Sequence, residues 1–208
     1  KGHVAFMGGS ITEMNGYRPL MMKWLQKRFP KTNFTFTNAG ISSTCSTTGA
    51  FRLKEHVLDK GSVDLFFVEF AVNDDQDAVH AREACHRGME GIIRHARTLN
   101  PDIDIIAQYF VEPSKMEFYN KGDVPPEIIA HDRVTSHYAV PAINLAKEVT
   151  DRINQGEFTW KEDFKDLHPS PFGHQLYRAR ISRLFDVSWV GKDLSKTKVT
   201  SHTMPESP

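Results

Sequence analysis

Cysteine is scarce: Cys45 and Cys85 are the only two in 208 residues. This excludes a disulfide framework, and their spacing is not that of a zinc site. Excess charge of either sign is missing as well. Lys+Arg and Asp+Glu both number 26, so formal net charge is zero. No basic footprint for nucleic acid or for an anionic membrane surface follows. No apolar run approaches the ~20 residues of a membrane span. Internal repeats and low-complexity tracts are absent. The chain carries no initiator methionine and no signal peptide, and it opens almost inside its first apolar run. A trimmed or mature piece is therefore expected, and its compartment and oligomeric state are not legible.

What is present suits a single domain with a sizeable core, over residues 1–190. A polar tail or linker is expected over residues 191–208, loosely ordered, with room for a further domain beyond it. Strand and helix signals alternate. Residues 3–8, 33–40, 63–72 and 102–110 read as strands, and 139–146 as a weaker fifth. The fifth contains Pro141, which lacks a ladder donor and so belongs at a sheet edge. Residues 17–29, 48–61, 77–99 and 125–138 read as helices, with a last one from Pro171. Residues 111–124 read as a long loop. Alternation of this kind implies an α/β fold with a parallel sheet and helices on both faces. Ligands in such folds bind beyond the carboxyl ends of the strands.

Three corners at those ends carry chemistry: Gly8-Gly9-Ser10, Asn38-Ala39-Gly40 and Asn73-Asp74. Two glycines let the backbone bend where side chains would clash. Ser10 then reads either as a helix-capping serine or as a nucleophile held clear of the fold. A serine needs a base, and histidine is the usual one near neutral pH. His168, stiffened by Pro169, is the candidate. Gly40 can offer an unobstructed backbone N–H to an oxyanion, Asn73 a side-chain amide, and Ser10 its own N–H.

These blocks resemble those of the SGNH hydrolases, also called GDSL-type esterases, over about residues 3–186. "GGSIT" resembles the first block, with Gly9 where an aspartate is usual. "NAG", "VND" and "LHPSPFGH" resemble the others, carrying Gly40, Asn73 and His168. The resemblance implies a three-layer α/β/α sandwich around a five-stranded parallel sheet, flavodoxin-like, and a metal-independent hydrolase without a cofactor. The family usually places an aspartate three positions before the histidine. Here that position is Lys165, and a cation cannot accept the imidazole N–H. Asp166 is the favoured replacement, Asp163 the second choice, and a dyad oriented by a backbone carbonyl the third.

The expected activity is hydrolysis of a small acyl ester, acetyl on a carbohydrate, through an acyl-enzyme. An O-acetyltransferase using the same serine and a non-catalytic carbohydrate-binding domain are the alternatives. A small-molecule or carbohydrate ester is the expected partner, with neither nucleic acid nor membrane. Glu69 reads as a buried hydrogen-bonded acid, and Asp74 as the residue fixing the turn that aims Asn73. Cys85 and His174 read as structural, His80 and His86 as surface. Arg18 reads as a surface ion pair or a substrate contact. Met116, Phe118 and Tyr119 are candidates for a pocket wall.

Overall fold

The computed structural model describes residues 1–193 and 198–207. Five parallel strands form one sheet in the order β2-β1-β3-β4-β5. They are β1 (Gly2–Gly8), β2 (Phe34–Gly40), β3 (Leu65–Val68), β4 (Asp104–Tyr109) and β5 (Ala142–Asn144). This is the flavodoxin-like order, reversing direction beside β1. Central β1 and β3 are almost wholly buried because helices cover both faces. Phe6 stacks on Phe67 between them, with ring centroids 4.9 Å apart.

The helices are α1 (Ser10–Glu13), α2 (Tyr17–Arg28), α3 (Ser46–His56), α4 (Ala71–Gln76), α5 (Arg82–Leu99), α6 (Pro113–Asn120), α7 (Pro126–His137), α8 (Leu145–Asn154) and α9 (Pro171–Trp189). α2 packs on α9, and α3, α5 and α7 pack in a row. Right-handed crossovers put that row on one face of the sheet and the α2–α9 pair on the other. Pro141 directly precedes the edge strand β5, and its carbonyl accepts from Ala107 N–H at 2.9 Å.

Several elements differ from the sequence reading. The apolar run 63–72 is only partly strand. β3 stops at Val68, and the run continues into the buried helix α4, which an apolar run alone does not distinguish from strand. α5 starts at Arg82 rather than at residue 77, because the chain first wraps back on α4. Ala78 N–H reaches Asn73 O at 3.0 Å, and His80 N–H reaches Asp74 O at 2.7 Å. Residues 111–124 are not one loop. They hold α6, with Pro113 in its first turn and Glu112 accepting from Ser114 N–H. α8 was not foreseen. It is capped by Asn144, which accepts from Lys147 N–H. A π-helical turn spans Trp160–Phe164.

Part of the polar tail is hydrogen-bonded to the domain. Ser201 donates to Asp102 at 2.6 Å, His202 N–H reaches Pro101 O at 2.9 Å, and Arg94 donates to Pro205 O at 3.0 Å. Residues 198–207 thus lie along the start of β4 and the C-terminal half of α5. Residues 194–197 and 208 of that tail fall outside the described residues. No helix among the described residues is long and apolar enough to cross a membrane.

α3 and α5 approach closely at Gly88, where an added Cβ would collide with the Ser46 side chain and the Thr47 backbone. Gly88→Ala should therefore separate two helices that flank the site. A destabilisation of ~1–3 kcal/mol is expected, read as a lowered Tm. An unchanged Tm would mean the helices part without strain.

Candidate active site

The parallel register sets the site. Gly8 lies beside Gly40, and Met7 beside Val68. The three loaded corners therefore end on one edge of the sheet. β1 breaks at Gly9, whose carbonyl accepts from Thr12 and Glu13 N–H and starts α1. Ser10 opens that helix, so its N–H is one of the donors a helix leaves unbonded at its start. Its Oγ lies 2.7 Å from His168 Nε2. His168 stands on the segment entering α9, which Ser170 caps by accepting from Gly173 N–H.

Asn73 sits in the first turn of α4, buried, and its Nδ2 donates to Asp77 Oδ2 at 2.8 Å. The amide has a second hydrogen to give. Its amide lies flat against Gly9: a Cβ there would overlap Asn73 Oδ1. Gly9 is thus what lets the amide come so near the serine corner. Gly40 N–H donates to Asn38 Oδ1 at 3.0 Å, so in this arrangement a side-chain oxygen occupies it.

The acid position is unusual. Lys165 adopts φ +80, is exposed, and forms no ion pair among the described residues. Asp166 Oδ1 accepts from its neighbour's backbone, Leu167 N–H, at 2.5 Å. Asp163 Oδ2 accepts from Thr159 N–H at 2.7 Å and Thr159 Oγ1 at 3.1 Å, closing the π-helical turn. Neither carboxylate hydrogen-bonds His168. The expected Asp166–His168 contact is absent because the Asp166 side chain folds back on its own loop.

Under the site lies a buried polar layer. Asp74 accepts from Ser46 N–H and Oγ, both at 2.7 Å, and pairs with His131 Nε2 at 2.9 Å. Burial pushes its carboxyl up, but the His131 and Ser46 hydrogen bonds outweigh this and hold it below the usual carboxylate range. So Asp74 does fix α4, tying it to α3 and α7. Next to it, Asp75 pairs with the fully buried Lys115, which also meets Glu112 and Glu127. Cys45, Asp74 and His80 bring ligand-type atoms within 4.8 Å of one another. His80 is half-buried rather than on the surface. The Asp74 oxygens in this group are already taken by Ser46 and His131.

Other readings change with the geometry. Arg18 forms no ion pair among the described residues. Its guanidinium donates to the Thr12 and Glu13 carbonyls and ties off α1. Met116 packs on the core, and Tyr119 pairs with Asn144 at the end of β5. His174 is buried, its Nδ1 accepts from Tyr17 N–H at 3.2 Å, and burial with the nearby His168 pulls it down to about 4. Arg52 went unnoticed in the sequence. It sits mid-helix in α3 with no motif around it, yet it reaches Gly8 O and Ala39 O.

A model described as the GDSL-like lipase/acylhydrolase family matches residues 6–176. The chain belongs to that family. Its five-stranded sandwich is that of the SGNH hydrolases. Among solved structures, a two-domain esterase (CEX) active on acetylated mannans, crystallised with mannopentaose, is 27% identical with a TM-score of 0.79. The match covers 99% of this chain and 53% of that one, so this chain spans about half its length. The acetylxylan esterase Axe2 from Geobacillus stearothermophilus is 14% identical over 92% of this chain and 95% of that one, with a TM-score of 0.73. A lipase/acylhydrolase from Enterococcus faecalis is 19% identical over 90% and 97%, with a TM-score of 0.68. The last two likenesses show the fold alone. No curated protein matches the sequence.

Two outcomes follow from this geometry. Gly9→Asp would install the family's usual residue, yet its Cβ would displace the Asn73 amide. Turnover should fall ~10²–10³, the cost of one oxyanion donor, with KM little changed. Undiminished turnover would show that Asn73 is not needed where it stands. Glu69, buried behind α4, concerns stability. Burial pushes its carboxyl up to about 7, a shift that its bond from Val72 N–H only partly offsets. The folded chain then holds a proton that the unfolded chain loses near the ordinary carboxylate value. The Glu69 contribution to stability is therefore fullest at low pH, falls as pH rises through that window, and levels off above about 7. The fall amounts to ~3 kcal/mol at ~1.4 kcal/mol per pH unit. Chemical denaturation of Glu69→Gln across this range should show the limb flattened; an unchanged limb refutes the assignment.

Proposed function

We propose that this domain is a serine esterase that removes a small acyl group, most simply acetyl, from a carbohydrate ester. The observation that carries the reading is the 2.7 Å contact between Ser10 Oγ and His168 Nε2, made at the sheet edge beside Asn73. Ser10 Oγ adds to the ester carbonyl while His168 Nε2 takes its proton. The carbonyl oxygen becomes an oxyanion and receives Ser10 N–H, the free Asn73 N–H and Gly40 N–H. For Gly40 to take part, the oxyanion must replace Asn38 Oδ1 as acceptor. The tetrahedral adduct then expels the sugar alkoxide, which His168 protonates, leaving acyl-Ser10. A water molecule adds in turn, with His168 as base, and the acid leaves.

The carbohydrate part is supported by the relative active on acetylated mannans, which aligns with nearly all of this chain. Ser10 and His168 act as a dyad in this reading. The Asp166 carboxylate is committed to Leu167 N–H and contributes little.

The test uses acetylated manno-oligosaccharides and an aryl acetate. Ser10→Ala should abolish hydrolysis and labelling by a fluorophosphonate probe without unfolding the domain. Asp166→Asn should change turnover by less than about tenfold, against the ~10⁴ expected if it held the imidazole tautomer. Residual hydrolysis by pure Ser10→Ala refutes the nucleophile. A loss of several powers of ten in Asp166→Asn returns that residue to a triad.

A further inference from the structure

Arg52 is a buried cation with an unusual set of partners. It is only 9% exposed, and no carboxylate lies within 4.0 Å of it among the described residues. Its guanidinium donates instead to Ala39 O at 2.5 Å, to Gly8 O at 3.2 Å and to Thr44 Oγ1 at 3.2 Å. His56 Nδ1 stands 3.4 Å away, and the Phe70 ring centroid 5.9 Å away. Burying a charge without an opposite charge is costly, and a scaffold role alone would be met by a neutral side chain. The two carbonyls are not arbitrary. Gly8 is two residues before Ser10, and Ala39 shares its peptide plane with Gly40 N–H. A trans peptide fixes that N–H opposite the carbonyl that Arg52 holds, and no peptide in the described chain is cis. A planar fork spanning both carbonyls thus sets the end of β1 relative to the end of β2. Gly8 O also accepts Ile41 N–H at 3.0 Å, so the same oxygen is held from two sides.

We propose that Arg52 is a positioning residue for ester hydrolysis: through the Gly8 and Ala39 carbonyls it holds the Ser10 corner and the Gly40 peptide in the geometry that receives the oxyanion. This rests on the esterase reading above. Because the effect is on the tetrahedral state, it should fall on turnover rather than on substrate binding.

The experiment compares wild type, Arg52→Met and Arg52→Lys for kcat and KM on an aryl acetate. It adds inhibition by phenylboronic acid, which forms a tetrahedral anion on the serine, and Tm. In Arg52→Met, kcat should fall about 10²-fold with KM within about twofold, and boronate inhibition should weaken in parallel. Arg52→Lys should recover part of both, since an ammonium reaches one carbonyl but cannot span two. A folded Arg52→Met with wild-type kcat overturns the proposal. So does a loss of kcat with boronate inhibition unchanged, which marks a purely structural residue. If Arg52→Met does not fold, Arg52→Lys decides: lowered kcat at constant KM supports the role, and full kcat overturns it. Wild-type labelling by a fluorophosphonate keeps the two readings apart. An unlabelled, inactive wild type refutes the esterase, whereas an active wild type matched by Arg52→Met refutes only Arg52.

Discussion

Parallel pairing of β1 with both β2 and β3 is the constraint on which the site depends. With Gly8 opposite Gly40 and Met7 opposite Val68, three chain segments leave the sheet at one level. Each then turns at a residue whose chemistry suits an acyl-transfer site. A slip of one residue in either pairing would turn the side chains of that strand to the opposite face. The aromatic stack of Phe6 on Phe67 locks the register of β1 and β3 from inside the core. Fold stability and site geometry are here the same set of contacts.

The second layer is electrostatic. α4 is a short helix, too short to hold itself in water, and it carries Asn73. It is fixed by Glu69 at its start, by Ser46 and His131 on Asp74, and by Lys115 on Asp75. Ser46, Lys115 and His131 come from α3, α6 and α7, so three further helices support the amide beside Ser10. Arg52 does comparable work for the opposite side of the site. Asp74, Asp75 and Lys115 are tolerated around α4 because each is paired, and removing one partner leaves the other unpaired.

Gly9 shows how a departure from a family's pattern can be read physically. An aspartate is usual there, but the Asn73 amide occupies the space its Cβ would need. Glycine at this position and the close approach of the amide therefore go together. Lys165 is a different kind of departure. It stands where an acid is usual, and the loop around it is closed by Thr159, Asp163 and Trp160 rather than by a bond to His168. Among the described residues the His168 ring hydrogen-bonds Ser10.

The sequence by itself determined the strand–helix alternation and the three corners, and it nominated Ser10 and His168 as candidates. Hydrophobic period and glycine placement are local properties, and they need no knowledge of distant residues. It also determined that Pro141 belongs at an edge. Tertiary structure alone decided where the apolar run at 63–72 stops being strand, because a buried helix and a buried strand look alike in composition. It decided that residues 113–120 are helix, which no apolar period announces. It brought Arg52 under two carbonyls, and it turned Asp166 away from His168. Those outcomes depend on which backbone oxygens and N–H groups lie within ~3 Å once distant segments meet, and spacing along the chain does not encode that distance.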